Sequence, residues 1–524
     1  MKKLFTLLAL LLIIQGTRGQ IIKATPGALM FRNTDENSAA NRQVQIINTS
    51  PLPLSITDID YFQTYDTYPF EPQDTAFFLG GNDTVSLTVE FHPDQNIDYS
   101  RILVIKTSNG TGHLVLPLSG QGTFSNSYYS STRNLKEEPL KTALANLLSN
   151  NYNSLGYRSA RDNMYASIDN NGGQVECVYT GRTATFNTRA GANSNQFNTE
   201  HTFPQGFYNQ NEPMRSDIHH LFPTDVTANS RRGNDPFGLV NNANWSQGGS
   251  RSGGGKFEPR DQQKGVTARA MFYFVLRYQD YNNHFQGQEA ILRTWHEQFP
   301  PGTSEQIRNQ AIYQLQNNRN PFVDYPQLIK RINKIAVQSN EPSLKDLYRS
   351  DDTIFLAQGN GRAVFNFVLY NTGNQRLNFS NISVSDNRLN IVSRNFTQLG
   401  VAHFANIKID YPLDENINAT LEIAGDFPDA SWSIPIISGI PLSHNDEELK
   451  ESRSLFPNPA TAYFRLGGQL SEQASIKLFD LKGKLVKQWR GPQSYTVDDL
   501  PAGPYQVEVA DEAKQPYRQL LIIH

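Results

Sequence analysis

The stretch "FNTEHTFPQGF", residues 197–207, sets Glu200 directly beside His201 and reaches Pro204 three residues later. Neighbouring side chains of a regular strand point to opposite faces, so Glu200 and His201 can share one site only where a strand ends or twists sharply. A proline cannot donate a backbone hydrogen bond to a sheet and marks such an ending. The sequence therefore predicts a carboxylate and an imidazole at the end of a strand.

The following stretch, "SDIHHLFPTDVTANSRRGNDPFG", residues 216–238, provides the partner of this pair. Its first seven residues are typical of a strand, Pro223 is expected to stop that strand, and Gly233 is suited to end a helix. A helix of one to two turns fits between the two. Asn229 lies on this helix, and Arg232, three residues on, shares its face. The order is strand, loop, strand and short helix.

The regions on either side alternate apolar and polar residues in short runs. Residues 20–123 contain such runs in "RQVQIINTS" and "DTVSLTVEFHP", separated by Asn, Gly, Pro and Asp, which predicts an immunoglobulin-like β-sandwich. Residues 350–442 repeat the plan, with "WSIPIISGI" matching the earlier "LVLPLSGQG". We interpret the two regions as sandwiches flanking a different domain.

In the middle region, residues 125–345, the spacing of apolar residues changes from the alternation of strands to the spacing of helices. Residues 140–150, 264–281 and 304–318 carry apolar side chains three and four apart, which indicates amphipathic helices. The glycine-rich "SQGGSRSGGGKF", residues 246–257, is typical of a mobile surface loop. We expect an α+β domain here.

The two ends of the sequence carry different signals. "MKKLFTLLALLLIIQGTRGQ" has two lysines, an apolar run too short for a membrane anchor, and a small-residue exit, so residues 1–19 are predicted to be a secretory signal peptide. After the acidic linker "SHNDEELKES", residues 453–524 return to strands, with a hairpin expected around Lys482 and Gly483.

Charge and cysteine content narrow the functional classes. The net charge is −3, but residues 131–334 hold 22 Lys+Arg, 16 of them arginine, against 17 Asp+Glu, a local net of +5 that suits a polyanionic partner. Cys177 is the only cysteine, which excludes a disulfide framework and the thiolate clusters that hold structural zinc.

The central region resembles the secreted endonuclease I family of ββα-metal, or His-Me finger, nucleases over about residues 130–340. The likeness runs, in the order of the family, through "NTEHTFPQGF", "SDIHHLFPTDVTANSRRGNDPFG", "KFEPRDQQKGVTARAMFYFVLRY" and "RNQAIYQLQNNRNPFVDYPQLI". "LFPNPATAYFRL" and "GPYQVEV" near the C-terminus resemble the sorting domain of the type IX secretion system.

Together with the immunoglobulin-like β-sandwiches predicted from alternation, these resemblances imply a multidomain fold: a ββα-metal nuclease domain of α+β type flanked by the sandwiches, followed by a small C-terminal β-sandwich sorting domain. They also imply export to the cell surface or the medium by the type IX secretion machinery. No stable membrane span is expected in the mature chain.

The endonuclease I resemblance implies that His201 is the general base and that Glu200 and Asn229 hold one divalent cation. Mg²⁺ is the first expectation, with Ca²⁺ or Mn²⁺ as alternatives, because hard cations prefer oxygen ligands. A neutral histidine can take a proton from water near pH 7. The expected substrate is DNA, with RNA left open, held through its backbone and therefore cut without regard to sequence.

One arginine is expected to bind the scissile phosphate, because its planar fork matches two phosphate oxygens at once. Arg232 is the first choice, since it lies beside the helical asparagine, and Arg215, Arg231 and Arg269 stay open. His219 is expected to be a buried supporting residue. A catalytic zinc is disfavoured, because such a site needs three protein ligands.

Two other functions remain as alternatives. The chain is a cell-surface binding or adhesion protein if the sandwiches carry its function and the middle domain is a relic. It is a metal phosphodiesterase of small nucleotides if the same site takes monomers. The adhesion hypothesis does not explain why Glu200, His201 and Asn229 occur together with their strand and helix signals.

Overall fold

The computed structural model describes residues 21–107, 112–393 and 395–441, and, beyond these, 455–456, 463–466, 470–480, 484–491, 493–501, 503–511 and 514–523. The predicted signal peptide, the acidic linker and the hairpin turn at Lys482 and Gly483 lie outside the described residues. The chain divides into two compact units. One comprises residues 1–353, 364–410 and 419–435, and the other comprises residues 354–363, 411–418 and 436–524.

The first unit begins with nine strands in two sheets. They are β1 (Ile22–Thr25), β2 (Leu29–Asp35), β3 (Ala40–Asn48), β4 (Leu54–Asp60), β5 (Phe70–Pro72), β6 (Phe77–Leu79), β7 (Thr84–Phe91), β8 (Asp98–Thr107) and β9 (Leu114–Thr123). The sheet orders are β1-β3-β7-β5 and β2-β9-β8-β4-β6. Val44 and Phe91 from one sheet and Leu103 and Leu116 from the other share one buried core, so this part is a β-sandwich. Its immunoglobulin-like character stays a prediction.

The central region is mainly helical. Its helices are α1 (Glu137–Ser149), α2 (Gly156–Asn163), α3 (Arg189–Ser194), α4 (Val226–Arg232), α5 (Asp261–Arg277), α6 (Glu289–Gln298), α7 (Thr303–Gln316) and α8 (Pro321–Asp324). The three helices expected from apolar spacing are confirmed as α1, α5 and α7. Helix α5 is buried along most of its length and forms the centre of the core.

Short strands and tight turns complete this region. The strands are β10 (Asn170–Asn171), β11 (Gln174–Glu176), β12 (Thr183–Thr185), β13 (Phe197–His201), β14 (Leu221–Asp225), β15 (Trp245–Gln247), β16 (Ser250–Gly253) and β17 (Lys256–Glu258). The 3₁₀ turns are Ser127–Thr132, Gln205–Tyr208, Met214–Ser216, Ile218–His220, Tyr281–Asn283, Gln286–Gln288 and Pro326–Arg331, and one π turn spans Met164–Ile168.

The glycine-rich segment is ordered, and its prediction as a mobile loop was wrong. It forms the antiparallel sheet β15-β16-β17. Glycine pairs at 248–249 and 254–255 supply the two turns, and all four glycines have positive φ, as two-residue hairpins require. A Cβ on Gly248 would lie 2.0 Å from the Thr180 carbonyl oxygen, so the segment packs closely against its neighbours.

The first sandwich and the central region share a polar interface. The buried Arg331 guanidinium donates from Nη1 to Asn96 Oδ1 at 2.6 Å and from Nη2 to the carbonyl of Thr132 at 2.6 Å. Gln95 donates to the Gln327 carbonyl at 2.9 Å, and Gln327 donates to the Asp94 carbonyl at 2.8 Å. Burial lowers the pKa of Arg331 to about 10.

Residues 347–441 contain nine more strands. They are β18 (Leu347–Arg349), β19 (Ile354–Gln358), β20 (Arg362–Asn371), β21 (Leu377–Val384), β22 (Asn390–Ile391), β23 (Gln398–Leu399), β24 (Phe404–Pro412), β25 (Asn418–Gly425) and β26 (Ser431–Pro441). In the first unit, β20 pairs with β18, and β21 pairs with β23 and β25. In the second unit, β19 pairs in parallel with the end of β26.

The C-terminal part of the second unit is made of strands. They are β27 (Leu455–Phe456), β28 (Tyr463–Leu466), β29 (Ser475–Asp480), β30 (Leu485–Arg490), β31 (Tyr495–Thr496), β32 (Gly503–Asp511) and β33 (Lys514–Ile523). The sheet orders are β27-β28-β31 and β30-β29-β32-β33. The predicted hairpin is confirmed by the antiparallel pairing of β29 with β30. Among all described residues, no helix combines the length and apolarity needed to cross a membrane.

Asn96→Ala tests the interface with the sandwich. The change leaves a buried arginine with one partner fewer, and hydrogen bonds to charged groups are each worth about 2 kcal/mol. We expect a lower thermal unfolding midpoint, measured by differential scanning calorimetry of the full chain. Asn41→Ala, at an exposed position of β3, is the matched control. Equal midpoints for the two variants would contradict the interface.

Candidate functional site

A two-stranded ladder supports the candidate site. Strand β13 pairs antiparallel with β14 over five residues, with Glu200 opposite Phe222 and His201 opposite Leu221. Pro223 lies inside β14, opposite Thr199, and does not end the strand as predicted. The Pro223 carbonyl accepts from the Val178 N–H at 3.0 Å, on the side away from β13, so the proline nitrogen also faces away from the ladder and no ladder hydrogen bond is lost.

The segment before β14 also differs from the prediction. The first seven residues of the 216–238 stretch were expected as a strand, but they contain the 3₁₀ turn Ile218–His220, and β14 begins only at Leu221. The Asp217 side chain accepts from the His219 N–H at 3.2 Å and so caps the turn. This local hydrogen bond competes with an extended backbone.

The predicted short helix is confirmed as α4 and presents Asn229 to the ladder. Helix α4 begins after Asp225 and ends at Gly233, whose φ is 52°. Asn229 Nδ2 donates to Asn198 Oδ1 at 2.8 Å and to the Thr199 carbonyl at 3.3 Å. These two bonds orient the amide so that Oδ1, which accepts no hydrogen bond from a described residue, is available to a ligand.

Glu200 is buried, with 2% of its surface exposed, and its contacts converge on one oxygen. Oε1 accepts from the Tyr179 hydroxyl at 2.8 Å and lies 3.1 Å from Arg232 Nε. Oε2 contacts no described donor. Burial raises the Glu200 pKa to about 7, and Arg232 and Tyr179 oppose the rise. The second oxygen is thus free to bind a cation that would favour the ionised form.

Arg232 lies beside Glu200 in the interior and is poorly placed to bind a phosphate. Its Nη2 donates to the Thr202 carbonyl at 2.7 Å and its Nη1 to the Gly233 carbonyl at 2.8 Å. Nε is within ion-pair distance of Glu200 but is not aligned for a hydrogen bond. We interpret Arg232 as the group that holds the Glu200 carboxylate in place, because its side chain is 0% exposed.

His201 is the last residue of β13 and faces a different set of neighbours. Its Nε2 lies 3.2 Å from the Arg215 carbonyl oxygen, which can only accept, so Nε2 carries the proton of the neutral ring. Nδ1 then holds the lone pair and bonds to no described residue. Burial, with the nearby His220, keeps the His201 pKa well below its usual value. No described hydrogen bond joins His201 to Glu200 or Asn229.

His219 and His220 are both buried in the 3₁₀ turn and point apart. His219 Nε2 donates to the Asn318 carbonyl at 3.1 Å, and His220 Nε2 donates to the Met214 carbonyl at 2.6 Å. Burial lowers the His219 pKa to about 4 and also lowers that of His220. The His220 ring lies 5.7 Å from the His201 ring, between centroids, so His220 is the histidine that packs against the site.

The four arginines considered as phosphate ligands differ in their burial and in their partners. Arg269 is buried and forms two hydrogen bonds with Glu305, at 2.8 and 2.6 Å, so its fork is occupied. Arg231 is exposed on α4 and has no described carboxylate partner. The Arg215 guanidinium stacks on the Tyr157 ring at 4.3 Å, and its Nε is buried without a hydrogen-bond partner.

Glu258 and Lys264, both within the quoted motif "KFEPRDQQKGVTARAMFYFVLRY", form a structural ion pair. Lys264 Nζ lies 3.0 Å from Glu258 Oε1, and Arg251 donates to Oε2 at 2.8 Å. Glu258 also accepts from the Val240 N–H at 2.9 Å. The pair therefore ties β17 to α5.

Several contributors were not expected from the sequence. Tyr179 and Asn198 orient Glu200 and Asn229, and Tyr157 packs 5.4 Å from the His201 ring. Asp217 is fully buried and accepts from Tyr273 at 2.7 Å and also from Arg277, which holds its pKa below the usual range. Tyr179 and Tyr157 come from segments distant in sequence from the residues they contact. Asn198 is likewise distant from Asn229, although alternation along β13 places Asn198 on the face of Glu200.

A divalent cation fits this donor set. Glu200 Oε2 and Asn229 Oδ1 are both oxygens without a described hydrogen-bond partner, and a hard cation takes oxygen ligands and keeps several waters. No cluster of three or more His, Cys, Asp or Glu among the described residues is arranged to hold a metal ion.

Comparisons with known proteins agree on the central region. The sequence profile of the endonuclease I family matches residues 137–327, and that of the secretion system C-terminal sorting domain matches residues 454–523. An extracellular ribonuclease of Bacillus subtilis (strain 168) is 29% identical over 241 residues, 42% of this chain and 83% of its own. One of Bacillus amyloliquefaciens is 29% identical over 283 residues, 49% of this chain and 96% of its own.

Among solved structures, the ASH / PapD-like domain of human CEP192 covers 24% of this chain and 100% of its own, at 12% identity. Its TM-score of 0.19 supports no conclusion about the fold.

His219 gives a pH-dependent stability. Its folded pKa of about 4 lies below the usual histidine pKa of about 6.5, so the unfolded chain binds the proton more readily. Its contribution is present above pH 6.5 and is lost as the pH falls toward 4, by about 3 kcal/mol. We expect His219→Gln to flatten the fall in unfolding free energy over this window in urea titrations, whereas the exposed His403→Gln should not.

Proposed function

Because residues 137–327 of this secreted or cell-surface chain belong to the endonuclease I family, we propose that it is an exported, divalent-metal-dependent endonuclease that hydrolyses phosphodiester bonds without sequence preference. The observation that carries the proposal is the placement of Glu200 and His201 on β13 with Asn229 packed against the same strand from α4. Residues 454–523, which belong to the type IX sorting domains, account for the export.

His201 acts as the general base in this proposal. Its Nδ1 accepts a proton from the attacking water, while Nε2 keeps its bond to the Arg215 carbonyl. Burial keeps the ring neutral before the reaction, because it disfavours the charged form. Because this hydrogen bond keeps the proton on Nε2, the lone pair stays on Nδ1, where it can accept the proton from water.

Glu200 and Asn229 would hold one divalent cation, with Mg²⁺ as the first choice. When bound, such a cation stabilises negative charge on the phosphoryl and leaving oxygens. Tyr179 and Arg232 fix one carboxylate oxygen of Glu200 so that the other faces the ligand. Asn198 does the same for the amide of Asn229.

Arg215 replaces Arg232 as the proposed ligand of the scissile phosphate. Its backbone carbonyl orients His201, so the guanidinium belongs to the residue nearest the base. It has no described carboxylate partner, and its Nε is buried without a hydrogen bond. A phosphate in this position would satisfy that donor. The fork of Arg232, in contrast, is spent on two backbone carbonyls.

DNA and RNA are both proposed as substrates. The extracellular ribonucleases that are similar to the central region support RNA. A site that contacts phosphates through arginine does not read the bases, which supports cleavage of either polymer.

His201→Ala tests the base. The full chain should nick plasmid DNA in Mg²⁺ and stop in EDTA, and His201→Ala should cut about 10²- to 10⁴-fold more slowly, the usual contribution of general base catalysis. His403→Gln, which removes an exposed histidine, is the matched control. If His201→Ala cuts as fast as the parent chain, the assignment of the base is wrong. Structured RNA is assayed beside plasmid.

Asn229→Ala and Glu200→Gln test the cation site. Both variants should need more Mg²⁺ or Mn²⁺ for half-maximal activity, because each weakens one of two protein ligands. Glutamine keeps the hydrogen bond from Tyr179 and the volume of the side chain, but it removes the negative charge that faces Arg232. Asn234→Ala, an exposed position just after α4, is the control. An unchanged cation requirement in both variants, or rescue of His201→Ala by added cation, would refute the assignment.

A further inference from the structure

Unpaired cations are unevenly spread in the central region. Most lysines and arginines of residues 137–327, all of which the structure describes, have a carboxylate oxygen within 4.0 Å. Five have none: Arg158, Arg161, Arg215, Arg231 and Lys256. Since most cations of this region are paired with a carboxylate, these five differ from the rest in being available to bind an anion from solution.

Two of the five share an aromatic ring next to the base. The Arg161 guanidinium lies 4.1 Å and the Arg215 guanidinium 4.3 Å from the Tyr157 ring centroid. That ring lies 5.4 Å from the His201 ring. Neither guanidinium can be far from the other, since both are stacked on one tyrosine. The Nε atoms of both arginines are buried and have no hydrogen-bond partner.

Nearby carboxylates are already engaged elsewhere. Asp162, the acidic residue of α2, pairs with Arg189 at 2.6 Å. Glu212 accepts from the Tyr157 N–H at 3.2 Å with one oxygen and from the Ser216 hydroxyl with the other. No described carboxylate oxygen lies within 4.0 Å of the Arg161 or the Arg215 guanidinium, so each of the two groups is available to a phosphate of the substrate.

Arg158 extends the charge along the same helix. It precedes Arg161 by three residues on α2, so the two side chains lie on one face. Arg158 is exposed, whereas Arg161 is partly buried against Tyr157. The two arginines therefore form a positively charged face of α2 that extends from the solvent to the neighbourhood of His201.

We propose that Arg161 and Arg158 form a second phosphate site next to the scissile phosphate held by Arg215, so that the enzyme grips successive phosphates of one polynucleotide strand. The proposal rests on the proposed function for the role of Arg215. It names the substrate class: a polymer with a phosphate beyond the one that is cut, in preference to small diesters of single nucleotides. The contact is electrostatic and independent of sequence.

The test compares a polymer with a small diester. The double variant Arg158→Gln/Arg161→Gln of the full chain is assayed on plasmid DNA and on bis(p-nitrophenyl) phosphate, which has no neighbouring phosphate. We expect KM for plasmid to rise at least tenfold, with a loss in kcat/KM at least tenfold larger than the loss on the small diester. The slope of log affinity against log salt should fall by about 1 to 2, because each phosphate contact contributes about 0.7 to 0.9.

The control removes the same total charge elsewhere. Lys136→Gln/Lys345→Gln deletes two exposed cations that already face Glu341 and Asp426, and it should cut plasmid like the parent chain. Equal losses on the two substrates, or no loss on plasmid, would overturn the second site.

Binding separates this proposal from the proposed function. Anisotropy of a fluorescein-labelled DNA duplex is measured in EDTA, where no cleavage is expected. Suppose that the parent chain cuts neither substrate but binds the duplex, and that the Arg158→Gln/Arg161→Gln variant binds it more weakly. This result would refute the nuclease assignment and support the phosphate site. Equal binding by the parent and the variant would remove the phosphate site whatever the activity.

Discussion

The short antiparallel ladder between β13 and β14 is the constraint on which the site depends. Its five residue pairs fix Glu200 and His201 at the end of β13. Because β14 runs directly into α4 and follows directly on the turn Ile218–His220, the same ladder also positions Asn229 on one side and His220 on the other. The surrounding helices, above all α5, hold this small unit in a closed core.

Burial shifts the two central ionisable groups in opposite directions. Glu200, in the interior with Arg232 and Tyr179, has its pKa raised to about 7, whereas that of His201 is lowered. Both shifts have the same cause, because a low dielectric disfavours the charged form of either group. Burial therefore favours the neutral ring of His201 and the protonated carboxyl of Glu200. In the proposed reaction the neutral ring is the base, and a bound cation would favour the ionised carboxylate. Opposing shifts of this kind are common where chemistry is done near neutral pH.

Local signals in the sequence predicted the parts that depend on neighbouring residues. Apolar spacing indicated α1, α5 and α7, and Gly233 indicated the end of α4. The same signals gave wrong predictions where contacts between distant segments determine the local structure. Pro223 is tolerated inside β14 because its nitrogen faces away from β13, towards Val178. The glycine pairs near Ser250 make tight hairpins instead of a loose loop. Helical spacing alone pointed to Arg232 as the phosphate ligand, because that spacing places Arg232 near Asn229 but does not reveal that its fork is buried.

The interface between the first sandwich and the central region holds these two parts of the chain together by side-chain contacts as well as by the backbone. Phe124 stacks on Tyr325 at 3.8 Å between ring centroids, and Arg331 reaches across to Asn96. A protease that nicked the connecting segment would therefore not set the two pieces free. They would stay together as a non-covalent pair, so that the sandwich behaves as a subunit of the domain it adjoins.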